Sequence, residues 1–153
     1  YSKLPLTRTH ILHSGNEHIP SLVAEVTEDN KTITIMGTHP LPPFGKRSAH
    51  ARDEKLKQLG DYMTELKTPA VLVGDFNATP FSYPYRRLLH ETELRNCADG
   101  YGYQPTWQYS PLMPPLGLKI DNCLHTPGIT INESFTGAKN GSDHLPLMTR
   151  ISF

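Results

Sequence analysis

Four short clusters of histidine, aspartate and asparagine contain the residues of this sequence that are best suited to catalysis or metal binding. They lie at residues 37–40 (GTHP), 74–77 (GDFN), 119–122 (KIDN) and 141–144 (GSDH), each at the edge of a predicted strand. Singly each cluster is weak evidence, because Gly-Asp after a strand is usually a turn and Asp-His is usually a solvated loop or a helix cap. Together they supply what a hard divalent cation and a phosphate ester require: oxygen ligands, a carboxylate that orients water, and imidazoles that face phosphoryl oxygens.

Other catalytic chemistries fit the sequence less well. It contains no Gly-x-Ser-x-Gly elbow, and Ser142 stands beside Asp143 with no separate base assigned to it. The His-Glu-x-x-His motif is absent too, so zinc peptidase chemistry is not indicated. The two cysteines, Cys97 and Cys123, have no paired spacing, and we expect two free thiols in the core rather than a disulfide framework or a zinc knuckle.

A strand–helix–strand unit is predicted to bring the first two clusters together. Hydrophobic periodicity predicts strands at residues 21–28, 31–37 and 70–74 and a helix at residues 48–67. Asp29 and Asn30 form the turn of a hairpin, and Ser48 is the expected N-cap of the helix. Because the strands on either side of the helix are then parallel, His39 and Asp75 should lie at one edge of the sheet, where open α/β sheets bind ligands.

The second half of the chain is predicted to be mixed. A short helix is expected at residues 85–91, and strands are expected at residues 120–124, 129–133 and 145–151. These strands are expected to be partly antiparallel. The sequence has no internal repeat, low-complexity tract or obvious linker, so we treat residues 1–153 as one unit.

Length and composition narrow the classes of protein. A chain of 153 residues with 37% hydrophobic residues is enough for one folded domain. Lys and Arg together number 15, as do Asp and Glu, and this balance argues against a protein that holds long nucleic acid by charge alone. Among phosphoesters it mildly favours small or lipid substrates over duplex DNA. No apolar run is long enough to span a bilayer, and no stretch resembles a signal peptide.

Five segments of the chain resemble a known family in their residues and in their order. They are residues 38–43 (THPLPP), 74–80 (GDFNATP), 106–107 (TW), 120–121 (ID) and 141–146 (GSDHLP). These motifs look like the second half of the endonuclease/exonuclease/phosphatase superfamily, which includes deoxyribonuclease I. The resemblance implies an α/β fold, a two-sheet α/β sandwich of the deoxyribonuclease I-like type with helices outside. It further implies a metal-dependent phosphoesterase that uses Mg²⁺ or Mn²⁺ on a nucleic acid, nucleotide or phospholipid head group.

The resemblance also assigns roles to individual residues. Asp75 would orient or deprotonate the attacking water, and Asn77 would hydrogen-bond the phosphate or a metal-bound water. His144 would contact the scissile phosphate, with Asp121 fixing its tautomer and raising its pKa. Asp143 would bind or position the metal. In this mechanism the metal polarises the phosphate while water attacks in line.

Three further residues are expected near the substrate. His39 matches the other family histidine, which in the nucleases is paired with a Glu and is thought to help the leaving oxygen, but its Glu partner is not identifiable here. Trp107 could stack on a base, although packing beneath the site is as well supported. Arg52 belongs to a basic cluster around the predicted helix start, at Lys46, Arg47, Arg52, Lys55 and Lys57. That cluster could steer substrate, but a solvated helix face is the favoured interpretation.

One departure from the family pattern concerns its first half. The family draws an Asn and a metal-binding Glu from strands that precede everything in this sequence, and residues 1–6 resemble a mid-domain segment. We therefore expect residues 1–153 to be the C-terminal part of a single catalytic domain, lacking its N-terminal half. Either that half or a second chain should cover the exposed sheet face. An apolar loop at residues 110–118 is expected to pack against the body.

Two interpretations of function remain open at this point. The first is the metal-dependent phosphoesterase, and the alternative is a non-catalytic half-domain that binds phosphate compounds or a protein partner. The Thr-His-Pro and Pro-Pro variant is closest to uncharacterised bacterial members, which often carry membrane helices before the catalytic domain. The resemblance therefore implies a bacterial protein, and a membrane tether through a preceding segment is one expectation for its location.

Overall fold

Eight strands and two helices make up the fold in the computed structural model, which describes residues 1–14, 19–107 and 117–153. The strands are β1 (Leu6–His13), β2 (Pro20–Glu28), β3 (Lys31–Gly37), β4 (Ala70–Asp75), β5 (Arg95–Asn96), β6 (Asp121–His125), β7 (Thr130–Thr136) and β8 (Leu147–Ser152). The helices are α1 (Lys46–Glu65) and α2 (Tyr83–Glu91). None of the described helices is long and apolar enough to cross a bilayer.

The strands form two sheets. The larger sheet has the order β1-β2-β3-β4-β6-β5, and β7 pairs with β8 in a second sheet. Among the described strands only β3 and β4 run parallel, joined through α1, while the other neighbouring strands pair antiparallel. The predicted two-sheet α/β fold, the parallel crossover and the partly antiparallel second half are all confirmed.

The hairpin of β2 and β3 follows the predicted pattern. Asp29 and Asn30 have φ of 49° and 60°, the left-handed conformation that a two-residue type I′ turn requires. Aspartate and asparagine tolerate this region better than most residues. The ladder therefore closes with Glu28 opposite Lys31, and every later pair of the hairpin follows in register.

Helix α1 begins earlier than the sequence predicted. Gly45, with φ of +104°, is the N-cap, and the Ser48 hydroxyl donates to the Gly45 carbonyl at 3.2 Å, so the expectation that Ser48 caps the helix is wrong. The reason is local, because glycine adopts this φ without steric cost and lets the helix start two residues sooner. The predicted apolar stripe is correct, since Leu56, Leu59 and Met63 are buried.

Strand β1 was missed by the sequence analysis. Its residues are almost all exposed, so no alternation of buried and exposed positions marks it. It is held by its antiparallel ladder to β2, in which Ile11 lies opposite Leu22. An edge strand of this kind is defined by its neighbour rather than by its own pattern.

The six-stranded sheet carries a core on each face. On one face Met36, Leu72 and Leu124 pack against the helices. On the other, Val26, Ile33 and Val71 pack against the small sheet. The helices, the large sheet and the small sheet are therefore three successive layers.

The expectation of two free thiols is wrong. Cys97 and Cys123 form a disulfide, with their Cα atoms 5.4 Å apart. Their separation of 26 residues concealed this proximity, which arises because the chain after β5 lies beside β6, with the Cys97 N–H donating to the Cys123 carbonyl at 2.9 Å. The bridge ties that segment to the strand that begins with Asp121.

A cavity of about 560 Å³, lined mostly by apolar side chains but also by Asp121, Ser142 and His144, lies between the two sheets. Ile35, Val73, Leu147 and Ile151 are among the residues that line it. Within the described residues, β8 pairs with β7 alone, so its outer edge lies beside this opening. The small sheet therefore covers only part of the face beneath it.

Candidate functional site

Strands β4 and β6 place two carboxylates side by side. Asp75 ends β4 and Asp121 begins β6, and the antiparallel register makes them direct partners. Burial raises the pKa of the Asp75 carboxyl above its ordinary value; a hydrogen bond from the Asn77 N–H opposes this shift, and the charge of Asp121 adds to it. The structure thus brings these two predicted site residues together as neighbouring carboxyl groups.

Asp121 also holds His144 in a defined orientation. Nδ1 of His144 lies 2.7 Å from Oδ2 of Asp121. Burial lowers the pKa of His144, but the hydrogen bond and charge of Asp121, with the charges of Asp75 and Asp143, outweigh it and leave this pKa above its ordinary value. With Nδ1 engaged by the carboxylate, Nε2 is the ring atom that can face a ligand.

Asn77 is held against Asp75 by an unusual backbone. Its φ is 49°, and its N–H donates to Oδ1 of Asp75 at 2.8 Å. Its side-chain Nδ2 donates to the carbonyl of Pro40 at 3.0 Å. This arrangement leaves the side-chain oxygen of Asn77 as the atom that can accept from water or coordinate a cation.

His39 lies at the same edge, as predicted from the parallel crossover. Its Nε2 is 3.5 Å from Oδ2 of Asp75, and its side chain is 70% exposed whereas that of Asp75 is 14% exposed. The sequence offered no acidic partner for His39. In the structure Asp75 is its acidic partner, and the exposed imidazole lies at the mouth of the site.

Trp107 and Asp143 contact one another. The indole Nε1–H donates to Oδ2 of Asp143 at 3.3 Å. The pKa of Asp143 is lowered by its own backbone N–H and by this indole. Backbone bridges from Trp107 to Leu118 and to His144 tie the two loops together. Trp107 thus braces the loop that carries Asp143, while its predicted contact with substrate stays a prediction.

Arg52 lies in α1 with its side chain only 11% exposed. Its guanidinium donates to Oδ1 of Asp53 through Nε at 2.8 Å, and to the carbonyl of Asn77 through one terminal nitrogen at 2.7 Å. Lys55 is likewise buried, and its Nζ donates to the Ser14 hydroxyl at 2.8 Å. The basic residues near the helix start therefore do not form one solvated face, because these two cations point into the protein.

Two residues beneath the site escaped the sequence analysis as individual contributors. Thr106 is fully buried, and its hydroxyl accepts from the N–H groups of Ile120 at 3.3 Å and Asp121 at 3.1 Å. Lys119 is buried, and its Nζ has no hydrogen-bond partner among the described residues. Both stand in motifs that the sequence singles out, yet neither has a role there. No sequence signal identifies such supporting contacts.

The donor set suits a hard cation. Asp75, Asp121 and His144 each offer one ligand atom, and these atoms lie within 4.8 Å of one another. The carboxylate oxygens of Asp75 and Asp121, with the Asn77 side-chain oxygen beside them, are the kind of ligand that Mg²⁺ and Mn²⁺ favour, and His144 offers a nitrogen donor. A cation would also offset the mutual repulsion of the two carboxylates. Asp143, the predicted metal residue, is outside this group of three. It precedes His144 in the sequence, and its carboxylate accepts a hydrogen bond from Trp107.

Comparison with known proteins places this arrangement in a family. The model of the "Endonuclease/Exonuclease/phosphatase family" matches residues 1–144. No curated protein matches the chain. Many solved structures do, and three of them illustrate the range.

The endonuclease/exonuclease/phosphatase from Beutenbergia cavernae is 19% identical, with a TM-score of 0.82, over 98% of this chain and 46% of that one. TDP2 of D. rerio in complex with single strand DNA product is 14% identical, with a TM-score of 0.73, over 97% of this chain and 68% of that one. The mannosyl-6-phosphatase of Bacteroides thetaiotaomicron is 16% identical, with a TM-score of 0.69, over 97% of this chain and 67% of that one.

These likenesses establish the fold, and the chain spans between 46% and 68% of the length of the three proteins. The family match covers most of the sequence, including every residue of the Asp75, Asp121 and His144 cluster. The chain belongs to the endonuclease/exonuclease/phosphatase family, whose members hydrolyse phosphoesters.

Proposed function

We propose that residues 1–153 form the C-terminal part of the catalytic domain of a divalent-metal-dependent phosphoesterase. The observation that carries the proposal is the convergence of Asp75, Asp121, His144 and Asn77 at one edge of the large sheet. They come from three separate segments: Asp75 and Asn77 lie at the end of β4, Asp121 begins β6, and His144 precedes β8. The family's general activity supports the same conclusion.

In the proposed reaction Asp75 accepts a hydrogen bond from the attacking water and takes its proton. The water oxygen forms a bond to phosphorus as the ester P–O bond opposite it breaks, and the leaving oxygen takes up a proton. His39, at the exposed mouth of the site, is the proposed source of that proton. His144, oriented by Asp121, donates from Nε2 to a phosphoryl oxygen as negative charge grows there.

A bound Mg²⁺ or Mn²⁺ would be held by carboxylate oxygens of Asp75 and Asp121, with Asp143 and the side-chain oxygen of Asn77 as further donors. When bound, the cation supplies positive charge that polarises the phosphate. The chain's own groups supply orientation and proton transfer.

Two observations bear on the class of substrate: the relatives of the same fold and the charge balance of the chain. Relatives of the same fold include a protein solved with single strand DNA product and a mannosyl-6-phosphatase, so both diesters and monoesters are compatible with it. The equal numbers of acidic and basic residues weaken any hold on long nucleic acid by charge alone. We infer a nucleotide, a short nucleic-acid end or a phospholipid head group as substrate.

A second part of the proposal concerns what covers the apolar cavity between the sheets. Ile35, Val73 and Ile151 line it, and β8 offers an unpaired edge beside it among the described strands. The three solved relatives contain more polypeptide than this chain spans. We propose that the remaining half of the domain, or a second chain, occupies this face.

Hydrolysis of a generic phosphodiester and a generic phosphomonoester by the complete protein tests the proposal. Activity should require Mg²⁺ or Mn²⁺, disappear with chelator and return on adding the metal. Replacing Asp75 with Asn should lower turnover by roughly 10²-fold or more without loss of folding. Asp61→Asn, which removes an exposed carboxylate paired with Lys57, is the matched control and should leave turnover unchanged. Metal-independent turnover, or full turnover in Asp75→Asn, would contradict the proposal, and an absence of hydrolysis by the complete protein would favour the non-catalytic phosphate-binding role.

A further inference from the structure

We infer that Arg52 is a positioning residue, which holds the backbone of Asn77 so that Asp75 and Asn77 stay aligned for the attacking water. The inference rests on the proposed function. It assigns Arg52 a role through the protein rather than through contact with substrate, and it connects helix α1 to the site.

The contacts of Arg52 are directed at the protein. One terminal nitrogen donates to the Asn77 carbonyl at 2.7 Å, while Nε at 2.8 Å and the other terminal nitrogen at 2.7 Å both engage Oδ1 of Asp53. Asp53 therefore fixes the plane of the guanidinium, and the opposite edge points at a single carbonyl. A guanidinium that Asp53 holds along one edge can fix the position of the carbonyl that it contacts at the opposite edge.

Asn77 needs such support because of its backbone. With φ of 49° it occupies the left-handed region, which residues with a Cβ rarely adopt, although Asn is among those that tolerate it. This conformation turns the Asn77 N–H toward Oδ1 of Asp75 at 2.8 Å. If Asn77 returned to an ordinary conformation, the N–H would leave that oxygen and the carboxylate would lose one of its orienting bonds.

Three segments meet at Asn77 through three hydrogen bonds. Its N–H binds Asp75 at the end of β4, its Nδ2 binds the Pro40 carbonyl after β3, and its carbonyl accepts from Arg52 of α1. Of the three partners only Arg52 lies in a helix, away from the chain segments at the ends of β3 and β4. It is therefore the one that can be altered without touching the catalytic edge itself.

Steady-state kinetics of the active protein separate positioning from substrate binding. Arg52→Met keeps most of the stem and removes the donors. We expect kcat to fall by roughly 10-fold to 100-fold with KM within about twofold, because a small misplacement of a reacting group slows the chemical step more than it weakens binding. Arg52→Lys keeps one donor and should recover part of kcat. Lys57→Met on the exposed side of the same helix is the matched control and should change neither constant.

The opposite result, a higher KM with an unchanged kcat, would overturn the inference. If KM and the inhibition constant for inorganic phosphate rise about 10-fold while kcat holds, Arg52 contacts the substrate. Unchanged constants in Arg52→Met would also overturn it. Should Arg52→Met fail to fold, Arg52→Lys alone decides, since a positioning role then requires a reduced kcat at constant KM.

A second measurement does not depend on activity. The three-bond HN–Hα coupling of Asn77 depends on its φ, and in Arg52→Met this coupling and the backbone chemical shifts should move away from left-handed values while those of Asn30, in the hairpin turn, stay unchanged. Shifts of Asn77 that match the parent protein would overturn the inference even if the protein hydrolyses nothing. An inactive parent protein with moved shifts would instead contradict the proposed function and leave the positioning contact established.

Discussion

At the residue scale, the paired carboxyl groups of Asp75 and Asp121 lower the stability of the fold at this edge of the sheet. Two carboxylates on directly paired residues repel one another, and burial adds to the cost of ionising Asp75. The Asn77 N–H and the two imidazoles offset this cost in part. An arrangement that is unfavourable to folding, and that a bound cation would relieve, is typical of a functional site.

Titration of His144 tests the pairing with Asp121. The folded-state pKa of His144 lies above its ordinary value of 6.5, so the charged ring stabilises the fold below that value, and this contribution is lost as pH rises through the folded pKa. Replacing Asp121 with Asn should lower the pKa of His144 and reduce the extra stability near pH 6 more than near pH 8. NMR titration of the ring protons and urea unfolding at both pH values measure these effects. A His144 pKa that Asp121→Asn leaves unchanged would show that the pair does not act as the geometry indicates.

At the scale of elements, the close approach between the end of β4 and the chain after β3 shapes the site. Gly74 has φ of +144°, and a Cβ added there would overlap the carbonyl of Thr38. This close approach brings the segment that carries His39 against the segment that carries Asp75. On the other side of β4, the Cys97–Cys123 disulfide secures the strand that begins with Asp121. The site is thus braced by a close backbone approach on one flank and by a disulfide on the other.

Replacing Gly74 with Ala should therefore destabilise the protein. The added methyl meets backbone rather than a flexible side chain, and alanine is strained at this φ, so the free energy of unfolding should fall by at least about 2 kcal/mol. Gly37→Ala is the matched control, because a Cβ there meets no atom within 4 Å; its free energy of unfolding should change by less than about 0.5 kcal/mol or increase. Denaturant unfolding of both variants measures the difference. Equal stabilities would contradict the close approach of the two chain segments.

At the scale of the whole molecule, the large sheet is well covered on its helical face and only partly covered on the other. Leu22 shares a face with Val26, which packs toward the small sheet, yet Leu22 is 62% exposed, and its cross-strand partner Ile11 is 57% exposed. Together with the cavity between the sheets, these side chains form an apolar surface of the kind that marks an interface. It lies on the face that we propose to be covered by further polypeptide.

This surface should make the isolated chain associate. Sedimentation velocity is expected to show concentration-dependent self-association, with binding of an apolar fluorescent dye, because exposed apolar area is buried by contact between copies. Leu22→Lys should weaken both effects while leaving the unfolding midpoint within roughly 3 °C, since an exposed side chain contributes little to the core. Phe44→Lys, which changes an exposed apolar residue beside α1, is the control and should not weaken association. A chain that stays monomeric and binds no dye would rule out this account of the face.

Local patterns in the amino-acid sequence by themselves determined much of the fold. Alternation in residues 21–37 predicts the β2–β3 hairpin, because adjacent strands and a two-residue turn depend on near neighbours only. The spacing of Leu56, Leu59 and Met63 predicts the buried side of α1 in the same way. The right-handed crossover then predicts that His39 and Asp75 meet at one edge, and the structure places them 3.5 Å apart.

Tertiary structure alone decided the contacts that join distant segments. The register of β4 against β6 pairs Asp75 with Asp121, and the approach of the segment after β5 to β6 closes the Cys97–Cys123 bridge. Arg52 shows the same limit, because the sequence places it on a helix but only packing turns its guanidinium toward Asn77. The physical reason is that side-chain periodicity records which face of an element is buried, whereas the partner on the other side is set by how the elements pack in three dimensions.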